Sequence, residues 1–315
     1  MNFSPITFRS IFPVLLAGAG LLALGRPVAA EDAPAAKPTI FVFGDSTARN
    51  NGKGKSGEPV AGWGTPLADY FDAAKVGISN VAHAGQSSRT YYNLPGDWPR
   101  VLPQIKAGDF VLLVFGINDG GPPKTAGARG SIPGIGDETV DLPRPDGTVE
   151  TAHTYGWYMA TMAAAAREKG ARVYFLTVTA RNIWTNPKAK FRDATPTEPL
   201  PADYDPKEDR IERGTSNGKY TQWTKELGRK LHLPVLDLTN LCADRYEKLG
   251  RETVNTYYSD HNHTYVPGAD FVAAAVVAGL KIFPGSPFIA LLSDKGKSVE
   301  PANLKYVEEN SATGK

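Results

Sequence analysis

Apolar positions along the chain fall into short, nearly continuous runs separated by stretches with helical spacing. Residues 40–43 (Ile-Phe-Val-Phe), 110–115 and 173–178 are almost wholly apolar or β-branched, the pattern of strands covered on both faces. Residues 75–82 and 233–238 carry the same pattern more weakly. Between these runs, residues 63–71 and 98–105 predict short helices. Residues 153–169 predict a longer one, with Tyr155, Met159, Met162, Ala163 and Ala166 on one side and Gly170 as its stop. Residues 220–231 and 238–249 predict two further helices, and 268–280 a very apolar one whose first turn suits Pro267. The strand-helix alternation predicts an α/β fold, a parallel sheet with helices on both faces.

Two stretches stand outside this alternation: residues 120–149, rich in Gly and Pro, and residues 181–209, rich in Pro, Lys and Asp. Each follows a strong strand, so both are expected to form long structureless loops facing a substrate, with solvated decoration as the alternative. Residues 294–315 are polar enough to form a loosely docked or disordered tail. A chain of 315 residues, 41% of them hydrophobic, can bury one sizeable core, which is expected to span residues 38–293.

The first thirty residues read as an export signal: Arg9, an apolar run to Leu24 broken by Pro13 and glycines, then Val28-Ala29-Ala30 before a cleavage site. A retained anchor is the weaker reading. Residues 31–37 follow as a short leader. The protein is therefore expected to be secreted or periplasmic, with no membrane association once the signal is removed. That removal takes away Arg9 and Arg26 and no acid, leaving basic and acidic residues balanced, so nucleic acid is a disfavoured partner. Cys242, the only cysteine, permits no internal disulfide and no thiolate metal cage, and reads as a small buried apolar residue.

Chemistry is concentrated in four blocks. Gly44-Asp45-Ser46-Thr47 follows the first apolar run and sets a hydroxyl at the carboxyl end of a strand, where open α/β sheets hold ligands. Ala84-Gly85-Gln86-Ser87 and Gly116-Ile117-Asn118-Asp119 also follow candidate strands. Asp260-His261-Asn262-His263 supplies a carboxylate and an imidazole in one short turn. Any block alone reads as a turn or helix cap. Together they offer a nucleophile, a base, an orienting acid and oxyanion donors, the set that acyl transfer through serine requires.

This ordered set resembles the SGNH (GDSL-type) hydrolases. With Gly62-Trp63-Gly64, Ala84-Gly85-Gln86-Ser87-Ser88-Arg89, Ala107-Gly108-Asp109, Gly116-Ile117-Asn118-Asp119-Gly120-Gly121 and Asp260-His261-Asn262-His263-Thr264, the likeness extends to the rhamnogalacturonan acetylesterases over most of residues 39–281. The resemblance implies a flavodoxin-like three-layer α/β/α sandwich with a five-stranded parallel sheet. It also implies an esterase that removes acetyl groups from pectic polysaccharide. Carried over residue by residue, it makes Ser46 the nucleophile, His263 the general base and Asp260 its orienting partner. The backbone amides of Ser46 and Gly85 and the side chain of Asn118 would then form the oxyanion hole.

His261 is expected to line the pocket or pack beneath the turn. A metal held by His261, His263 and Asp260 is the minor alternative, and neither metal nor cofactor is expected. Gly52-Lys53-Gly54-Lys55-Ser56-Gly57 matches a dinucleotide fingerprint by letter, but closes no strand and opens no apolar helix. Asn262-His263-Thr264 matches a glycosylation acceptor whose use would block the proposed base. For the sugar, Trp63, Tyr91, Tyr92, Trp98, Trp157 and Trp184 are candidate stacking surfaces, with burial in the core as the alternative. Arg49, Arg89 and Arg181 are candidate carboxylate clamps, Arg89 first because it follows the Gly85 block. Two other functions compete with acetylated polysaccharide hydrolysis. A lipid or thioester acylhydrolase needs a continuous apolar groove, and a noncatalytic carbohydrate-binding protein has no need of Ser46 or His263. The acetylated position, the choice between acetyl and methyl esters and the oligomeric state are not legible in the sequence.

Overall fold

The computed structural model describes residues 37–310 except 95–96, 193–194 and 216–217. The expected export signal over residues 1–30 and the leader up to Ala36 lie outside the described residues.

Five apolar runs form parallel strands: β1 (Thr39–Phe43), β2 (Gly77–Asn80), β3 (Phe110–Leu113), β4 (Arg172–Leu176) and β5 (Val235–Leu236). Their spatial order is β2-β1-β3-β4-β5, the flavodoxin-like order, in which the winding reverses between β1 and β3. The register sets Phe41 beside Ser79 of β2 and Val111 of β3. A sixth strand, β6 (Val307–Glu308), pairs antiparallel with β5 and closes that edge.

Strand parity divides the core in two. Ile40, Val42, Leu112, Leu176 and Leu236 meet the helices α4 (Leu238–Leu249) and α5 (Val266–Leu280) in one cluster. Phe41, Phe43, Val111, Leu113, Phe175 and Val235 meet α1 (Ser88–Asn93), α2 (Tyr155–Glu168) and α3 (Lys219–Leu231) in the other. The result is the three-layer sandwich. Burial of such side chains, at about 1.5–3 kcal/mol each, is the main favourable term in a chain without disulfides.

Several expectations need correction. Residues 63–71 yield only a 3₁₀ turn, Pro66–Tyr70, and residues 98–105 a single helical turn, Trp98–Val101, followed by the 3₁₀ turn Leu102–Gln104. Pro103 has no N–H to continue the helix. The two insertions are not structureless. Thr139–Pro143 and Val149–His153 form an antiparallel hairpin, with Glu150 and Ala152 turned inward. Ile183–Asn186, Ala189–Arg192, Thr195–Pro196 and Arg210–Ile211 form a small sheet of their own.

The segment after Asp294, expected to be loose, is docked as far as residue 310. It forms the short helix Asp294–Ser298 and then β6, with Tyr306 buried and its hydroxyl donating to Asp244 Oδ2 at 2.6 Å. Among the described residues, no helix is long and apolar enough to cross a membrane.

Candidate active site

The chain leaves β1 through Gly44, where a Cβ would lie 2.9 Å from both Cγ1 and the carbonyl oxygen of Val114, so only glycine lets the turn pass the end of β3. Asp45 closes this turn. Its Oδ1 accepts from the Thr47 amide at 2.8 Å, and its carbonyl accepts from the amides of Ala48 (3.1 Å) and Arg49 (3.0 Å). Ser46 is thereby presented with its Oγ 3.0 Å from His263 Nε2. His263 Nδ1 lies 2.8 Å from Asp260 Oδ2, while Asp260 Oδ1 accepts from the amides of Asn262 (2.7 Å) and His263 (2.8 Å). One carboxylate thus fixes both the shape of the loop and the angle of the ring. The hydroxyl and the imidazole, 217 positions apart in sequence, meet at the reversal point of the sheet.

A short segment couples the two halves of this pair. The Ala61 amide donates to the Thr264 carbonyl (2.9 Å), and Thr264 Oγ1 donates back to the Ala61 carbonyl (2.7 Å). The amides of Trp63 and Gly64 donate to Thr47 (3.0 Å) and Ala48 (2.9 Å) of the serine turn. A Cβ on Gly62 would lie 2.2 Å from the Ala48 carbonyl carbon. The Gly62-Trp63-Gly64 block is therefore a brace between the serine turn and the histidine loop.

The electrostatics follow from these contacts. The His263 imidazole is raised above its ordinary value, first by its hydrogen bond to Asp260, against the opposing effect of burial. Burial pushes the Asp260 carboxyl up, but the His263 bond and the two loop amides outweigh it and hold the group far below the carboxylate range. Asp45 is fully enclosed, and burial raises it to about 6 despite the Thr47 bonds and the nearby imidazole. A cation formed on His263 is thus stabilised by two carboxylates.

Beside the serine, Gly85 adopts φ +81°, a conformation that favours glycine. Among the described residues, neither the Ser46 nor the Gly85 amide has a protein acceptor. Asn118 Nδ2 spends one hydrogen on the Gln86 carbonyl (3.0 Å), leaving its second available. Arg129, which sequence reasoning did not single out, donates to Asn118 Oδ1 (3.2 Å) and to the Gly85 carbonyl (3.4 Å), fixing the carboxamide's orientation. It lies within the 120–149 insertion, where nothing local distinguishes it from a solvated arginine. Behind Asn118, Asp119 accepts from the Ser88 amide (3.1 Å), from the Ser88 hydroxyl and from Ser131 Oγ (3.3 Å). Burial raises Asp119 to about 7.

The expected sugar contacts fare differently. Arg89 is wholly buried and cannot reach a substrate. Its guanidinium donates to Glu150 Oε1 (2.7 Å) and to the carbonyls of Gly130 (2.7 Å) and Thr125 (2.9 Å), pinning the 120–149 insertion to α1. Arg181 is paired with Glu212 through Nε (3.1 Å) and Nη2. Trp63, Tyr91, Trp98 and Trp184 are core residues. Tyr92 and Trp157 are half-buried and pack on each other, with His153 stacked 3.6 Å from the Trp157 ring. His261 lies in the loop beside the pair, where its carbonyl accepts from the Asn182 amide (3.0 Å) and anchors the segment after β4. A cavity of about 770 Å³ opens beside Gly85, walled by Gln86, Asn93, Arg129, Arg144 and Glu150.

A hydroxyl on a neutral imidazole, an ionised acid behind the ring and unspent donors nearby are suited to acyl transfer. The family model described as GDSL-like lipase/acylhydrolase matches residues 42–263. The chain is 30% identical over 238 residues to a rhamnogalacturonan acetylesterase of Emericella nidulans, covering 75% of this chain and 82% of that protein. It is 25% identical over 257 residues to a rhamnogalacturonan acetylesterase of Bacillus subtilis, covering 77% and 89%. Among solved structures, the YxiM protein of Bacillus subtilis superposes with a TM-score of 0.54 at 24% identity, covering 79% of this chain but 58% of that one, and bears on the fold alone.

Proposed function

The chain belongs to the GDSL-like lipase/acylhydrolase family and is a carboxylic ester hydrolase; from that premise we propose that it is an exported serine esterase removing O-acetyl groups from plant cell-wall polysaccharide, rhamnogalacturonan or another pectin foremost. The observation that carries the mechanism is the contact of Ser46 Oγ with His263 Nε2 at 3.0 Å, backed by Asp260 at 2.8 Å.

His263 takes the Ser46 proton as Oγ bonds to the acetyl carbon. The carbonyl oxygen becomes an oxyanion facing the amides of Ser46 and Gly85 and the Asn118 carboxamide. Collapse breaks the bond to the sugar oxygen, which leaves with the proton held on Nε2. A water, deprotonated by the same nitrogen, then attacks the acetyl-serine, and the proton returns to Oγ as acetate departs. Asp260 keeps Nδ1 protonated throughout, so Nε2 is the nitrogen that exchanges the proton.

The two named acetylesterase relatives support the choice of ester. The cavity beside Gly85 mixes apolar surface from Leu94, Ala126 and Pro145 with the charged Arg129, Arg144 and Asp146, so the choice of a sugar ester rests on the relatives. Acetate release from a panel of acetylated polysaccharides is expected to fall at least ~10³-fold in Ser46→Ala. Equal release by the two proteins would overturn the mechanism.

A further inference from the structure

We propose that Arg129 is a positioning residue for acyl transfer: it fixes the Asn118 carboxamide with its free Nδ2 hydrogen toward the oxyanion, which makes the 120–149 insertion a working part of the oxyanion hole. This rests on the serine-esterase reading above. A carboxamide is nearly symmetric in shape, and its two ends differ in that one accepts and the other donates. Turned one way, Asn118 offers a hydrogen to the developing charge; turned the other, it offers a lone pair that repels it. Two contacts decide between these. Nδ2 donates to the Gln86 carbonyl at 3.0 Å, and Arg129 Nη1 donates to Oδ1 at 3.2 Å. A guanidinium cannot accept a hydrogen bond, so a flipped carboxamide would set donor against donor at Arg129 and acceptor against acceptor at Gln86. The same Nη1 donates to the Gly85 carbonyl at 3.4 Å, so one cation ties together the Gly85 and Asn118 blocks. A charge-assisted bond at Oδ1 also draws electron density from Nδ2 and makes its remaining hydrogen a stronger donor.

The Arg129 side chain is exposed, but the residues that follow it are buried and held on both sides. The Gly130 carbonyl accepts from Arg89 Nη1 at 2.7 Å. The Ser131 amide donates to the Asp119 carbonyl at 3.2 Å, and Ser131 Oγ donates to Asp119 Oδ1 at 3.3 Å. A Cβ on Gly130 would lie 2.6 Å from the Gly121 carbonyl oxygen and 2.8 Å from that of Pro122, so this stretch lies directly against the chain that leaves Asn118. The buried Arg89 is thus the mount on which Arg129 stands, and the insertion reaches the donor that it orients.

The test is read on para-nitrophenyl acetate, which carries the acetyl group but no sugar for the cavity to hold. Arg129→Ala is expected to lower kcat about tenfold, less than the ~10²–10³-fold cost of losing a whole oxyanion donor, with KM changed less than about twofold. Arg129→Met, which keeps the stem without the donor, should lose as much, and Arg129→Lys, which keeps charge and donor, should recover most of it. In an Asn118→Ala background, where there is no carboxamide to orient, Arg129→Ala should cost no further factor. Unchanged kcat in the Ala and Met variants, an equal loss with and without Asn118, or a change confined to KM would overturn the proposal. A loss that follows a fall in melting temperature and that Arg129→Lys does not restore would overturn it too, leaving a structural arginine. Ser46→Ala is read separately: hydrolysis as fast as by the unmodified protein would end the serine mechanism, whereas independent losses at 118 and 129 with Ser46 essential end only the positioning role.

Discussion

Asp260 divides its two oxygens between a loop and a ring, and His263 titrates above its ordinary value chiefly because of that contact. In the proposed mechanism His263 works only when neutral, so kcat/KM should rise with pH through a value above 6.5, histidine's unperturbed one. Asp260→Asn removes the interaction that raises the ring. The acid limb of the kcat/KM profile should then move to lower pH while turnover drops by about 10²–10⁴. A limb that stays in place would mean that another group sets it. Ser46, Asp260 and His263 stood out in the sequence because a hydroxyl after an apolar run and a carboxylate and imidazole in one short turn belong to an ordered set of blocks, and the structure brings the three side chains together. Arg89 was not legible: its partner Glu150 lies 61 positions downstream, in a hairpin whose pairing no local pattern announces. A guanidinium four positions after Gly85 looks exposed until that carboxylate is placed against it.

At the scale of elements, the serine turn and the histidine loop are separate pieces of chain, and residues 61–64 hold one against the other. Gly62→Ala would force the brace off Ala48, since a Cβ there falls 2.2 Å from a backbone carbon that cannot move without moving Ser46. A loss of about 1–3 kcal/mol in stability is expected, with kcat reduced more than tenfold and KM for a small acetyl ester changed little. Unchanged kcat in a folded Gly62→Ala protein would remove the brace from the mechanism. The sequence displayed this block but not its task, because its bonds run to Thr47, Ala48 and Thr264 rather than to anything near it. The five parallel strands were legible from their apolar runs. The small antiparallel sheets were not: with one face exposed and frequent Gly and Pro, their strands look like loops until they pair.

For the whole molecule, the two enclosed carboxyls near the serine tilt the pH dependence of folding. Asp45 is raised to about 6 and Asp119 to about 7. A carboxyl raised in the folded state contributes stability that is complete below its unfolded value and lost as pH climbs through its folded one. His263, also raised, acts in the same direction. Asp260, held low, contributes stability above its unfolded value that is lost only in strong acid, outside this window. Unfolding free energy from denaturant titration should therefore fall between pH 5 and 8, with His153, lowered by burial, opposing the fall only below histidine's ordinary value. A flat or rising profile would show that these two groups ionise without cost.

Cys242, on the buried face of α4, is sealed in the core, and its burial raises the thiol to about 12, so almost none of it is thiolate at neutral pH. With Cys242 the sole cysteine of the sequence, no internal disulfide can form. Reducing agents and alkylating reagents should find nothing to attack while the native state persists, and the same active protein should be recoverable from a reducing cytosol as from culture medium.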